Sequence, residues 1–494
     1  MIRKLLPYQS VIKPFWRVWN TAKARALSYP AESAGFKPLS RQVMINYNSI
    51  RYHGAKRQFC YNPFVNVFFD IEGKAVACCR SHENVLGRYP DQSIRDIWFG
   101  QQAENMREHM RNNDLHMGCS FCLHQVRSGR FQGLPSMHAD RYAHSQSGEY
   151  PRIMELELSN VCNLECIMCS GRESSVIRKK REQKPPLKSP YDKEFVHQLD
   201  EFIPHLREMH FYGGEPFLID LYYDIWEKIR VQNPRMRLFT VTNGTIFNQR
   251  IEKLLRDLKM TLTLSVDSLD KDRFEHIRRG SDFNRVMQNI EAFSALSYDH
   301  LVISHTPMTL NWQDTPDILR FCNDHAYRLN LSFVERPVEY ALWAQHPDEL
   351  KAMLDNYRQG IKQTGKNSAA AAFNNQVFRE WLQQLAFYEQ HNRETVTKAD
   401  SALAPSEQLK KSVYDLLIKR FPASDGKMDG EKLFSLITEE DKLCQYDVIR
   451  RAAMSNMLGF LQQKEIDTDI QNVNALRNSL KALYAPHRFF EEAY

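Results

Sequence analysis

Acidic residues are nearly missing from the first 59 positions, where Glu32 stands alone against eleven Lys or Arg. A stretch so one-sided either solvates its cations or sets them against an anion. Also missing is any uninterrupted apolar run of membrane-spanning length, which argues against a transmembrane helix. The ten cysteines follow no even spacing and no cleavable leader pattern is visible. A secreted disulfide framework is therefore not expected, and the thiols read as reduced residues and metal ligands of a cytoplasmic protein. What is present, 43% hydrophobic and 26% charged residues over 494 positions, suits an ordinary globular chain. That length has room for roughly two to four domains.

The densest chemical signal is Ile153–Cys169. An alternating apolar run from Ile153 to Leu158 reads as a strand, and it empties into a loop bearing Cys162, Cys166 and Cys169. Three thiolates on one short loop suit a soft metal centre. Without a fourth partner nearby they suit an iron–sulfur cube better than a closed tetrahedral zinc site. One iron would then stay open to another ligand.

A second cysteine set lies upstream. Val65, Val67 and Phe69 alternate, Glu72-Gly73 signals a turn, and Ala75–Cys78 resumes as a strand. Cys60 and Cys78 thus belong to a hairpin, and Cys119-Ser-Phe-Cys122 follows later. Between them, Ser93–Arg111 reads as one helix, with Ser93 as N-cap and Ile94, Ile97, Trp98 and Met106 on its apolar face. Two hairpin cysteines and a CxxC turn would make a four-thiolate site, for which spacing leaves zinc and iron–sulfur both open. Cys79 reads as a spare thiol or an alternative ligand.

Residues 151–340 alternate strands with helices. After the cysteine loop come strands Glu208–Tyr212, Arg237–Val241, Thr261–Val266, Leu301–His305 and Leu329–Val334. Helices Leu221–Gln232, Asn248–Leu258, Lys271–Leu296 and Gln313–His325 separate them. With the first strand this makes six repeats and argues for a parallel βα barrel, with chemistry at the C-terminal strand ends. Gly213-Gly214-Glu215-Pro216 sits at one such end. Its glycines permit close backbone approach, and Glu215 offers an acceptor for an ammonium. Ser265 and Asp267 close the next-but-one strand with a hydroxyl and a carboxylate suited to ribose hydroxyls. Asn243 and Asn311 are weaker polar candidates. Residues 341–494 look helical, with linkers at Asp400–Ser406 and Pro422–Gly430. Cys322 and Cys444 fall in helical patterns and read as buried thiols.

The CxxxCxxC loop after a first strand resembles the radical S-adenosylmethionine (SAM) superfamily. The resemblance implies a partial (βα)6 TIM-like barrel whose open iron chelates SAM. An electron from the cluster would split SAM into methionine and a 5′-deoxyadenosyl radical that abstracts a substrate hydrogen. It further implies that Gly213, Gly214, Glu215 and Pro216 bind the SAM amino group, and that Ser265 and Asp267 hold its ribose, with Asn243 and Asn311 as further contacts. Met168 departs from the residue, often aromatic, before the last cysteine. The C-x12-G-x4-C hairpin, Leu86-Gly87, Ile97-Trp98 and the CxxC turn resemble the SPASM/twitch domain. That likeness implies one auxiliary 4Fe–4S cluster on Cys60, Cys78, Cys119 and Cys122, although in the family this domain usually follows the barrel.

The expected α/β chain thus has a basic arm (1–59), a small hairpin-and-helix twitch domain (60–150), the barrel (151–340) and an all-α region (341–494). Its expected activity is oxidation or modification of a small, anionic or sugar-like substrate, with an external electron donor such as flavodoxin or ferredoxin. Other readings are a radical SAM peptide maturase, or a zinc-stabilised nucleic-acid-binding protein without catalysis. Two basic stretches bear on partners. An amphipathic helix after Pro14 would set Phe15, Trp16, Val18 and Trp19 beside Lys13 and Arg17, for a membrane or nucleic acid. Residues 172–193 carry eight cations against three acids and would steer an anionic substrate.

Overall fold

A computed structural model describes residues 9–420, apart from 31–34, 52, 128–130, 132–133, 144–148, 335, 361–368 and 403–405, together with Glu431. Cys444 and Pro422–Gly430 lie outside the described residues. The chain divides into two compact units, one running to Val266 and including Phe274–Ser304, the other comprising Asp267–Arg273 and the chain from His305.

The first unit is built on one sheet. Its strands are β1 (Asn66–Phe69), β2 (Lys74–Val76), β3 (Gly87–Arg88), β4 (Ile153–Leu156), β5 (Glu208–Phe211), β6 (Arg237–Thr242), β7 (Met260–Ser265) and β8 (Val302–His305). Their spatial order is β3-β2-β1-β4-β5-β6-β7-β8, and β4 through β8 pair parallel throughout. These are five of the six strands read from alternation; the sixth is β9 (Arg328–Leu331), in the second unit. One feature has no counterpart in that reading. The hairpin of β1 and β2 joins the parallel sheet, because β1 pairs parallel with β4, Asn66 opposite Ile153 and Phe69 opposite Leu156.

The helices of the first unit are α1 (Gln9–Ala26), α2 (Arg41–Ile50), α3 (Asn62–Val65), α4 (Ile94–Phe99), α5 (Gln101–Arg111), α6 (Ser120–Arg127), α7 (Ser175–Lys180), α8 (Lys193–Gln198), α9 (Asp220–Gln232) and α10 (Gln249–Asp257). Then come α11 (Lys271–Ile277), at the join between the units, and α12 (Phe283–Leu296). Met154, Met209 and Phe211 are buried under these helices, with Phe211 against Tyr222 and Trp226 of α9. Burial of such side chains stabilises by roughly 1.5–3 kcal/mol each.

Two helices expected to be continuous are broken. Ser93 does cap α4, and it shares a capping box with Asp96, but extended backbone at Gly100 separates α4 from α5. The expected helix Lys271–Leu296 stops at Ile277, turns through Gly280 at φ +92, and restarts at α12 with Asp282 as N-cap. Leu86-Gly87, read from the family likeness as a turn, instead leads into a strand, with Gly87 in β3.

The boundary at residue 59 drawn from charge runs through a core. Met44 and Tyr47 of α2 pack in the same cluster as Cys60, Phe64 and Cys122. Arg51, wholly buried, makes a two-pronged ion pair with Asp140 and donates to the carbonyls of Gln58 (2.7 Å) and Phe59 (3.1 Å). Five donors in a planar fork let an arginine be buried where a lysine would be left short of partners. Farther out on α1, Trp19 is exposed and Lys23 lies over its ring.

The second unit holds β9 and helices α13 (Thr315–Asp324), α14 (Pro347–Gly360), α15 (Ala369–Ala402) and α16 (Ser406–Arg420). Tyr357 of α14 meets Phe378 of α15 with ring centroids 5.5 Å apart, and Phe333 packs on Trp381. Cys322 is a buried thiol on α13.

Candidate functional site

β4 ends at Leu156, and the cysteine loop that follows is held from several sides. The N–H groups of Glu165 and Ile167 donate to the carbonyls of Arg279 (2.8 Å) and Ile277 (3.0 Å). The break between α11 and α12 is what frees those carbonyls. Arg181 donates to the carbonyls of Cys166 (3.1 Å) and Cys169 (3.4 Å). Ser174 Oγ donates to Leu164 O (2.7 Å), and the N–H of Cys162 donates to Ser175 Oγ (3.2 Å). Cys166 is buried while Cys162 and Cys169 are half-buried, and Arg278 Nη1 lies 3.9 Å from Cys166 Sγ. Burial, then the neighbouring Cys166, pushes the Cys162 thiol up to about 11. A hydrogen bond with Cys166 and then burial raise Cys169. Crowded, desolvated thiols of this kind lose their protons readily only to a metal, so the donor set fits a thiolate-ligated cluster.

The Gly213–Pro216 turn is locked to this loop. Gly213 has φ +83, and a Cβ there would meet Ser159 O at 2.6 Å. Gly214 has φ +40, and its Cβ would lie 2.7 Å from the carbonyl carbon of Val161 and 2.8 Å from that of Asn160. Only glycine fits either position. The Glu215 N–H donates to Val161 O at 2.8 Å. Its carboxylate, 1% exposed, accepts from Thr242 Oγ1 (2.8 Å), Phe217 N (3.2 Å) and Asn243 N (2.7 Å). Burial outweighs these donors and raises Glu215 to about 7. Asn243 joins the cysteine loop as well. Its amide donates to Asn163 Oδ1 (2.9 Å), Asn163 donates to Thr245 Oγ1 (2.9 Å), and Thr245 donates back to Asn243 Oδ1.

Ser265 closes β7 opposite Ser304. Within the second unit, Asp267 is fully buried and accepts from Thr306 N at 2.9 Å. Asn311 Nδ2 donates to the Asp267 carbonyl (2.7 Å), so these two residues read separately from sequence are direct partners.

The other thiol set gathers at the opposite end of the strands. β2 runs antiparallel to β1 with Val76 opposite Phe68, which brings Cys78 to the N-terminal end of β1. Cys60 precedes α3 on that same side. Ser81 Oγ donates to Gly118 O at 3.0 Å and ties the Cys78 loop to the CxxC turn. Burial pushes these thiols up, Cys60 and Cys78 to about 12 and Cys119 and Cys122 also well above the ordinary value; the charge of Asp140 adds to it at Cys60, and those of neighbouring thiols at the other three. Cys79 is exposed beside them. Among the described residues no His, Cys, Asp or Glu group converges on a single-ion geometry. Cube ligands stand farther apart than the ligands of one ion.

Residues 172–193 use much of their charge locally. Arg172 pairs with Glu157, Lys180 with Glu165 and Lys184 with Glu182, while Arg178 donates to Pro185 O and Arg181 to the cysteine loop. A surface cleft of about 430 Å³ is lined by Phe36, Lys37, His109, Asp114 and His116, none of them a residue expected at the site. Its two histidines are bound to Asp114.

Sequence reasoning missed Asn163, Thr242, Thr245, Arg181 and Arg278. Thr242 and Thr245 flank Asn243 at a strand end and were open to inference. Arg278 lay hidden inside a helix pattern.

Comparison with known proteins bears on these sites. Residues 156–322 match the radical SAM superfamily, and residues 60–123 match an iron–sulfur cluster-binding domain, SPASM. Similar sequences include the probable GTP 3′,8-cyclase of Methanocaldococcus jannaschii, 24% identical over 36% of this chain and 57% of that protein. The GTP 3′,8-cyclase of Synechococcus elongatus is 28% identical over 37% of this chain and 54% of its own length. The chain thus spans little more than half of these relatives. Among solved structures, anSMEcpe with bound AdoMet aligns at 18% identity and TM-score 0.33, over 43% of this chain and 61% of that one. Streptococcus suis SuiB bound to S-adenosylmethionine aligns at 14% identity and TM-score 0.33, over 49% of this chain and 57% of that one. The two matched domains imply SAM and two 4Fe–4S clusters as cofactors. The chain thus carries a radical SAM domain over residues 156–322, with an SPASM domain before it at residues 60–123.

Proposed function

We propose that the chain cleaves SAM reductively and uses the radical to take a hydrogen atom from a small, hydroxyl-bearing substrate. In this reading Cys162, Cys166 and Cys169 hold the SAM-binding cluster, and Cys60, Cys78, Cys119 and Cys122 the auxiliary one. Residues 60–150 with α2 form the auxiliary domain, 151–340 the barrel and 341–494 a helical region. The observation that carries the reading is the fastening of the Gly213–Glu215 turn to the cysteine loop. The Glu215 N–H holds Val161 O at 2.8 Å, and both glycines lie against the loop backbone.

The loop cluster, when bound, supplies the electron that splits SAM. The chain's own residues do the rest. Glu215 presents a buried carboxylate to the SAM ammonium; Thr242 Oγ1 and Asn243 N hold it in place. Arg181 and the Ile277–Arg279 carbonyls fix the loop before SAM arrives, so little ordering remains for binding to do. Ser265, Asp267, Asn243 and Asn311 are assigned to further SAM contacts. Cys60, Cys78, Cys119 and Cys122, at the other end of the strands, would hold a second cluster able to take up the electron that the substrate radical gives up. The first electron comes from an external donor such as a flavodoxin or ferredoxin.

The curated relatives carry the name GTP 3′,8-cyclase, which keeps nucleotides among the candidate substrates. Weighing against strong anion steering is the local pairing of Arg172, Lys180, Lys184 and Arg181. The nine described cysteines are all free thiols, which suits a reducing compartment. The test is deuterium transfer from labelled candidate substrates into 5′-deoxyadenosine. No SAM cleavage by the reduced, iron-loaded protein would overturn the reading.

A further inference from the structure

The face of the parallel sheet turned away from the covering helices carries a cross-strand row, with one carboxylate and one imidazole in it, that the SAM reading does not use. In register across four strands stand Phe68 of β1, Glu155 of β4, His210 of β5 and Phe239 of β6. Their strand neighbours Met154, Met209 and Phe211 face the covering helices, so this row faces the other way, and the rings of His210 and Phe239 meet across strands at 4.7 Å. Two residues back, and so on the same face, Asn66 is in register with Ile153.

The cations of this face are already engaged. Arg237 and Arg141 both pair with Glu208, whose other neighbours are Tyr142 (2.8 Å) and His210. Arg172 pairs with Glu157. Glu155 is different: among the described residues it has no ion pair. Its Oε1 accepts from Asn66 Nδ2 at 2.6 Å, and its Oε2 has no hydrogen-bond partner among them. Asn66, 2% exposed, also donates to Ala77 O at 3.2 Å. Those two acceptors fix the orientation of its amide, which leaves the buried Oδ1 as an acceptor without a partner. A buried amide oxygen left unmatched is costly to the fold, and a hydrogen-bond donor brought by a ligand would complete it.

We propose that Asn66 Oδ1 and Glu155 Oε2 together form the substrate anchor of this enzyme, taking a group that donates two hydrogen bonds. These two acceptors favour a hydroxyl or ammonium group over phosphate or carboxylate, with the His210 ring, whose Nε2 makes no hydrogen bond among the described residues, in register beside Glu155. The position is apt. Ala77, bonded to Asn66, is the residue before Cys78, and the Glu155 charge bears on the thiols of both Cys78 and Cys79. Two residues along the same strand direction, Glu157 lies against Gly213. A substrate gripped here would stand between the auxiliary thiols and the SAM turn. The anchor rests on the hydrogen-abstraction reading and deepens it by naming the chemistry of the substrate's bound end.

The test uses the iron-loaded protein and three probes of one ring size: glucose, glucosamine and glucose 6-phosphate, read by ligand-detected NMR. Glucose or glucosamine should give saturation transfer that Glu155→Gln weakens about tenfold, since the near-isosteric amide turns an acceptor into a donor. Loss greater for glucosamine than for glucose assigns the anchor to an ammonium; equal loss assigns it to hydroxyls. Uncoupled SAM cleavage by the wild type is measured alongside, as the check on the reading beneath the anchor. Wild-type cleavage with no probe bound, with glucose 6-phosphate bound best, or with binding indifferent to Glu155→Gln would overturn the anchor while leaving the SAM reading standing. Loss of cleavage in the wild type would instead remove the reading beneath it. Asn66→Asp, which keeps Oδ1 but faces Glu155 with a second carboxylate, should weaken glucose more than glucosamine. The reverse order would also overturn the assignment.

Discussion

Gly214→Ala is the sharpest single perturbation of the site. The new Cβ would stand 2.7 Å from the carbonyl carbon of Val161 and 2.8 Å from that of Asn160, both of them backbone of the cysteine loop. Backbone cannot swing aside as a flexible side chain can. The positive φ itself costs about 1–2 kcal/mol for a residue with a Cβ. Relieving the overlap would bring the total to roughly 3 kcal/mol, or a fall in melting temperature on the order of 5–10 °C. The functional loss should be larger, because a loop moved by about 1 Å at a reacting centre can lower the rate by about a hundredfold. Gly54→Ala is the control, since Gly54 has φ +82 but nothing nearer than Asn20 Oδ1 at 3.9 Å. It should show the strain penalty alone. The assay is a melt of each protein followed by 5′-deoxyadenosine formation with dithionite. If Gly214→Ala cleaves SAM at the rate of Gly54→Ala, the turn is not fastened to the loop as described.

Other outcomes follow from the same geometry. Arg181→Met should cost the loop cluster, about four iron atoms by colorimetric assay, whereas Lys179→Glu should leave iron content intact. Arg51→Met should destabilise the auxiliary domain by about 3–5 kcal/mol, because Asp140 is left buried without its partner; a chemical melt would show it. Glu215 is raised to about 7 by burial, so its contribution is complete at low pH and is lost as pH climbs through 7. Without SAM the melting temperature should fall as pH rises from about 4.5 to about 7, and Glu215→Gln should shrink that fall. SAM affinity should move the opposite way, strengthening over the same range as the carboxylate ionises to meet the ammonium.

Much of this was legible in the sequence because the signals are local. Three cysteines within eight positions, a Gly-Gly-Glu-Pro turn and period-two apolar runs each announce their element without help from distant residues. The β1–β2 hairpin before Cys78 was legible for the same reason, although Cys60 stands outside it, ahead of α3. What stayed hidden depends on partners far along the chain. Nothing near Asn66 says that β1 will pair with β4, since that needs the register of Phe68 against Glu155. The charge of Arg51 suggested a solvated arm because its partner Asp140 lies 89 positions away. The apolar period across Lys271–Leu296 outvoted Gly280, so the break that exposes the Ile277 and Arg279 carbonyls to the cysteine loop was missed. For the same reason Lys180 and Arg181 read as steering charges, although one pairs with Glu165 and the other braces the loop.

The central claim is that two separate thiol sets hold two clusters, only one of which meets SAM. Electron paramagnetic resonance of the dithionite-reduced protein, with and without SAM, tests it most directly when wild type is compared with the Cys162→Ala, Cys166→Ala, Cys169→Ala triple variant. Wild type should hold about eight iron atoms and show a signal that SAM reshapes. The triple variant should keep about four iron atoms and one signal indifferent to SAM. A triple variant with its full iron load, or with a remaining signal that still responds to SAM, would contradict the account.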